Sequence, residues 1–280
     1  MEKIKSVFYV LTAILFLFFP VGREESVTLA LLSLKNVVLA TLFPMMVLTR
    51  VISGSYLMRK IGDLLSKTRL WKRLHLSPAL LPIVLCGIIS GFPASARQIE
   101  NMVNKKTITP SEGEKALALS SAPSPAFVIG IVGKTPLHGC FIFLVSLALS
   151  YLTVCREKSE ESPSPPAFSS TSLALALTSA TSSAVAVGGS IVFFVLITSL
   201  FNFLPSPLPL VISALTELGS GAVKLSSHRV LLSFLTGWGG LSALCQIKGE
   251  APGVKAGLYV RVRLLSGVTL ALMEGFSHLF

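Results

Sequence analysis

Apolar residues fall along this chain in long blocks, most of them close to the length of a membrane crossing. Several blocks are broken in the middle by Gly, Pro, Ser or Thr. Ile4–Val21 follows a short basic start and has no small-residue cleavage site after Pro20, so it reads as a retained first helix. Val27–Val51 is apolar but carries Lys35, Asn36 and Pro44, and the proline predicts a kink or break. A lysine at the centre of a membrane helix costs about 2.5–3.5 kcal/mol. Leu80–Ala96 fades into Ser90-Gly91-Phe92-Pro93-Ala94-Ser95. A second interrupted block carries Ser120, Ser121, Pro123, Ser124 and Pro125, and apolar character resumes over Phe127–Val132. Gly139–Val154 is uninterrupted.

The second half reads similarly. Ser172–Val187 is rich in Ala, Ser and Thr, a composition suited to close helix packing. Gly188–Leu204 reads as a further run, ended by Pro205-Ser206-Pro207. Leu208–Lys224 is broken at Thr216-Glu217-Leu218-Gly219-Ser220-Gly221, and Val230–Ile247 at Thr236-Gly237-Trp238-Gly239-Gly240. Ala256–Phe280 is the last block. Between the blocks, Arg50–Arg73 is strongly basic, and Ile61–Leu70 reads as a short amphipathic helix on the membrane surface. Ser111, with Glu114 three residues on, reads as a helix N-cap. Arg156–Thr171 is a Pro- and Ser-rich linker.

Composition agrees with this pattern. The chain is 52% hydrophobic and 13% charged, against about 25% charged in soluble domains. Its mean hydropathy is +0.75. We therefore expect an all-α polytopic membrane protein with about eight or nine membrane segments, some of them re-entrant. The net charge of +11 is read as the positive-inside bias of cytoplasmic loops. No soluble basic domain is present to bind nucleic acid. The four cysteines form no CxxC pair, and no HExxH or nucleophile–base constellation occurs, so no metal, cofactor or enzymatic activity is expected.

Each half contains, in the same order, an apolar run, a broken run ending in a cation (Arg97 or Lys224), a basic start and a second broken run. Paired interrupted segments of this kind point to a transporter built of inverted repeats with its site at the bilayer midplane. The chain divides into an N-terminal membrane helix (1–26), a first repeat (27–155), the linker (156–171) and a second repeat (172–280). The residues expected to contact solute are Ser90, Gly91, Phe92, Pro93, Ser95 and Arg97 from the first break, and Ser120, Ser121 and Ser124 from the second. Glu217, Gly219, Ser220, Gly221 and Lys224 come from the third, and Thr236, Gly239, Gly240 and Gln246 from the fourth. Glu217 stands out because intramembrane carboxylates are costly and tend to be functional. Its structural alternative is a pair with Lys224. Arg97 and Lys224 offer charge to an anion, with interface snorkelling as their alternative. Trp238 could stack on an aromatic ring or lie in an interface belt, and the belt is the preferred reading.

The stretches Leu42-Phe-Pro-Met-Met-Val, Ser90-Gly-Phe-Pro-Ala-Ser-Ala, Ser120-Ser-Ala-Pro-Ser-Pro-Ala-Phe, Thr216-Glu-Leu-Gly-Ser-Gly and Gly237-Trp-Gly-Gly-Leu-Ser-Ala-Leu-Cys-Gln resemble the YlbJ-like sporulation integral membrane proteins, which carry the nucleoside-recognition (Gate) domain. The resemblance runs from about Val27 to the C-terminus. It implies a core similar to that of concentrative nucleoside transporters. It also implies a bacterial cytoplasmic membrane, with the outer forespore membrane as the specific candidate, and transport of the anion dipicolinate during sporulation. The alternatives are nucleoside or nucleobase transport, and a non-transporting role in spore-envelope assembly. The expected partners are the lipid bilayer and a small-molecule substrate, with a homo-oligomer left open.

Overall fold

A computed structural model of the chain describes residues 2–18, 23–158 and 171–277. Most of the 156–171 linker therefore lies outside the described residues. The described chain is helical and contains no strand. Where the apolar blocks are continuous they form long helices. Among the described residues, five stretches are long and apolar enough to cross a membrane: Glu24–Ser53, Pro110–Val132, Pro136–Cys155, Leu173–Ser199 and Arg229–Glu250. Large apolar side chains such as Leu137, Leu144, Leu152, Leu175, Val185 and Leu272 are exposed around them. Such a surface suits a lipid solvent and would be an aggregation hazard in water.

The helices are α1 (Glu2–Phe18), α2 (Glu24–Ser53), α3 (Tyr56–Ser66), α4 (Arg69–Lys72), α5 (Leu80–Ser90) and α6 (Ala96–Asn104). They continue with α7 (Pro110–Ser120), α8 (Pro125–Phe127, extended by a π-helical turn Val128–Val132) and α9 (Pro136–Cys155). The second half holds α10 (Leu173–Ser199), α11 (Leu208–Thr216), α12 (Leu218–Lys224), α13 (Arg229–Trp238), α14 (Gly240–Glu250) and α15 (Gly257–Ser277).

Four local expectations change. Pro44 does not break α2. The nine residues before α2's last section, Leu34–Leu42, are π-helical, and this wider turn accommodates a residue without an N–H. Ser172–Val187 and Gly188–Leu204 are not two segments, because α10 runs unbroken through Gly188 and Gly189. The surface helix is displaced: Tyr56–Ser66 and Arg69–Lys72 are separate, each started by a hydroxyl cap, from Ser55 and Thr68. The α7 cap is Thr109 and not Ser111, with Glu112 completing the capping box, because Pro110 takes the first helical position.

α5 and α6 form a hairpin whose two ends lie at the same end of the bundle. Ser77 N, just before α5, donates to Glu112 Oε1 at the start of α7. Glu100 of α6 accepts from Gly253 N and Val254 N in the loop before α15. This is the end that also holds the basic 54–73 segment: Tyr151 Oη donates to Leu70 O, and buried Lys115 donates to Leu74 O and Glu157 O. α11 and α12 form a second hairpin, entered from the opposite end. Pro209 and Leu210 of α11 and Lys224 of α12 surround one surface cavity together with Glu25 and Asn202. At that end Glu274 of α15 sits 2.7 Å from Lys134 and 3.6 Å from Arg229.

Close packing depends on small residues. Ala176, Ala180, Ser183 and Val187 of α10 are buried along one face, toward α2. α13 crosses α15 backbone against backbone, and a Cβ on Gly237 would lie 2.5 Å from the Ser266 carbonyl carbon.

Candidate solute-binding site

The two hairpin tips meet near the middle of the bundle, each against the broken helix that follows it in sequence. α5 stops at Gly91, which has φ +80° and turns the chain where a side chain would collide with Ser124 N at 2.7 Å. Phe92 N then donates to Ala122 O at 3.1 Å, in the gap between α7 and α8. The Phe92–Pro93 peptide is cis. The second tip also packs on the break that follows it, but here the break supplies the glycine and the donor. α11 stops at Thr216, and Gly240, with φ +86°, brings the α13/α14 break so close that a Cβ would lie 2.7 Å from Thr216 O. Trp238 Nε1 donates to Leu215 O at 3.1 Å. Trp238 is thus buried at the tip and not in an interface belt, a correction to the reading above.

A cavity of about 140 Å³ opens between the tips. Of the expected residues it gathers Ser90, Gly91, Phe92, Ser124, Glu217, Gly219 and Gln246. It also takes Ser33, Asn36 and Thr41 from α2, which the sequence reading had not assigned. The signal was present as Lys35 and Asn36 within an apolar run. A 3.6-residue period did not show that the helix turns π-helical there, which sets Ser33, Asn36, Val37 and Thr41 along one wall.

The remaining expected residues lie elsewhere. Ser95 and Ser120 bond one another, Oγ to Oγ, at 2.8 Å beneath the first tip. Ser121 Oγ is buried without a partner but does not line the cavity. Pro93, Ser220, Gly221, Gly239 and Gly240 shape the tips and breaks behind the wall; the Cβ position of Gly221, for example, points at Leu235 Cδ2. Thr236 Oγ1 donates to Leu232 O within its own helix.

The two cations separate to opposite ends. Arg97 grips Glu250 of α14 with two contacts, Nε to Oε2 at 2.7 Å and an Nη2 hydrogen bond to Oε1 at 3.1 Å. Ser183 donates to the same carboxylate at 2.8 Å, and Arg50 Nη2 donates to Ser183 Oγ at 2.8 Å. This network joins α2, α6, α10 and α14 at the basic end. Lys224 borders the surface cavity at the other end.

Glu217 is not paired with Lys224 in an ion pair. It has an extended backbone and caps α12: its carboxylate accepts from Gly219 N at 2.7 Å, Ser220 N at 2.6 Å and Ser220 Oγ at 2.7 Å. The carboxylate occupies the helix N-terminus that would otherwise attract an anion. The tip therefore presents a carboxyl group to the cavity, and not a bare helix N-terminus. Among the described residues no three His, Cys, Asp or Glu side chains converge as a metal site would require.

Comparison of the chain with protein-family models, with curated proteins and with solved structures finds no match.

Proposed function

We propose that this membrane protein is a transporter for a small polar solute, working by alternating access between two inverted repeats. The observation that carries this reading is the cavity between the two oppositely inserted hairpin tips. It lies where freed backbone groups and half-helix ends can replace a solute's water, and each hairpin closes it from one end of the bundle. The repeat reading draws support from each tip packing closely on the break that follows it: Gly91 of the first tip against Ser124, and Thr216 of the second tip against Gly240. The YlbJ-like resemblance names dipicolinate as the first solute to test, with sporulation as the setting.

A second reading, transport of a nucleobase, is favoured by the side-chain amides of Asn36 and Gln246 in the wall. The cavity volume of about 140 Å³ is that of a site for one ring; an apolar cavity of about 150 Å³ takes one benzene molecule. A whole nucleoside would require the tips to part.

Uptake of labelled dipicolinate, uracil and uridine into sealed vesicles holding the purified protein tests the proposal. Saturable uptake of any of them, lost when Ser124 and Gln246 are both replaced by Leu in a protein that still folds, is the expected result. Folded protein that moves none of the three would turn the reading toward an assembly role.

A further inference from the structure

At the end of the bundle opposite the basic segment, a second cavity of about 280 Å³ lies between the start of α2, the loop after α10 and the second hairpin. Its polar wall groups are Glu25 and Ser26 of α2, Asn202 of the loop, Ser213 of α11 and Lys224, the last residue of α12. It shares no lining residue with the cavity between the tips, so what it binds is independent of the transporter reading.

Among the described residues, none of these five side chains hydrogen-bonds another protein group. Ser26 and Ser213 are only 6% and 4% exposed, yet their hydroxyls are not sealed into the packing as Ser121 Oγ is, and the cavity is the space they open to. Lys224 is half-buried. Glu25 is the carboxylate whose charge acts on it most strongly, ahead of Glu217, but no ion pair joins them. A half-buried ammonium and two buried hydroxyls without partners are a costly arrangement, and a guest that supplies the missing partners relieves it.

We infer that this outer cavity binds a zwitterion, with its anionic group on Lys224 and the two serine hydroxyls and its primary ammonium on Glu25 and the Asn202 amide oxygen. One charge stands on α2 and the opposite charge on α12. An anion alone would meet Glu25 uncompensated, and a cation alone would meet Lys224; a guest carrying both charges satisfies both. The volume is roughly twice the 150 Å³ that takes one benzene molecule. A free α-amino acid and the ethanolamine phosphate of a lipid headgroup share this chemistry. An occupant that touches both charges ties the second hairpin to α2, at the far end of the short helix whose N-cap, Glu217, lines the cavity between the tips.

Binding of labelled alanine and labelled glycerophosphoethanolamine to the purified, delipidated full-length protein in a non-ionic detergent tests this, with thermal unfolding as the check on folding. Each zwitterion is compared with the anion and the amine it contains: propionate and ethylamine for alanine, glycerol phosphate and ethanolamine for glycerophosphoethanolamine. At least one zwitterion is expected to bind about tenfold tighter or better than either of its halves, the value of one charge-assisted contact. Glu25→Gln and Lys224→Met are each expected to weaken that binding about tenfold. Glu25 is exposed, so Glu25→Gln decides the matter if Lys224→Met does not fold. Binding of glycerophosphoethanolamine alone assigns a lipid headgroup, and binding of alanine alone a free amino acid; either supports the inference, as does binding of both. A half that binds as tightly as its zwitterion would overturn it. So would zwitterion binding that Glu25→Gln leaves intact, or no zwitterion bound by folded protein.

Discussion

The hydroxyls of Thr49 and Ser90 lie 2.5 Å apart, joining the long helix α2 to the end of the first half-helix α5. Thr198 and Thr216 repeat the relationship at 2.8 Å between α10 and α11. In both pairs the long-helix threonine also donates or shares with the carbonyl four residues back, Met45 O and Phe194 O. The two hairpins are thus pinned to their long helices in the same way, just before the chain breaks.

The pairs differ in what remains when one member is lost. Thr216 also has Ile212 O at 2.9 Å, whereas Ser90 is 2% exposed and has no other side-chain bond among those described. Thr49→Val should therefore cost about 1–3 kcal/mol, the penalty for an orphaned buried group, and Thr198→Val about 0.5–1 kcal/mol. Thermal unfolding of the two variants in the same lipid or detergent checks the order.

Glu217 combines a structural role with its place in the cavity wall. Glu217→Ala removes three accepted bonds from the start of α12, and a lost cap costs about 1–2 kcal/mol. Glu217→Gln keeps one acceptor but turns an N–H₂ toward the Ser220 N–H, and should cost a similar amount. Loss of uptake in either variant therefore counts as evidence on solute binding only where the unfolding temperature is close to wild type. Glu217→Asp, which keeps charge on a shorter arm, should separate the two roles.

Breaking the Arg97–Glu250 grip should be costly. Glu250 is 4% exposed, so Arg97→Ala leaves a buried carboxylate held only by Ser183 and by the charge of Arg50 nearby. We expect a loss of about 3 kcal/mol, the low end for a broken buried pair because Arg97 itself is 31% exposed. Arg97→Lys should restore only part, since an ammonium cannot make the forked contact. Adding Glu250→Gln to Arg97→Ala should recover stability, and a double-mutant cycle measures the coupling.

Gly237→Ala should disturb the α13–α15 crossing more than an ordinary core substitution. The added methyl meets the backbone of Gly267 and Ser266, which cannot rotate away. The helices must part, at a cost of roughly 1–3 kcal/mol or more. Because α13 carries the fourth break at its end, a fall in unfolding temperature should come with lost solute binding.

The hairpins make a topological prediction. Cysteines introduced at Arg73 and Lys106, on either side of α5–α6, should both react with an impermeant reagent from one face of the membrane. Cysteines at Ser206 and Ser226, flanking α11–α12, should both react only from the other face. Labelling of a pair from opposite faces would mean that its hairpin crosses the bilayer.

The membrane class, the helical character and the four breaks were legible in the residues themselves. They depend on local properties: the length of an apolar run, the freedom of glycine, the missing donor of proline. Gly91, Gly239 and Gly240 sit in the left-handed region where the breaks were expected. What a broken run does next was not legible. Leu80–Ala96 and Val230–Ile247 look alike as strings, yet the first ends a hairpin arm and the second continues through the bundle, because packing on distant helices sets the direction after a break. Partnership was equally invisible. Arg97 and Lys224 hold matching places in the sequence, but Glu250 lies 153 residues from Arg97 in the chain, and only the fold brings it within 2.7 Å. Asn36 reached the cavity wall through a π-helical turn that no hydrophobic period records. The sequence by itself determined where the backbone must leave regular helix. The tertiary structure decided which freed groups bond one another, because a buried polar group is satisfied by whatever neighbour the packing supplies.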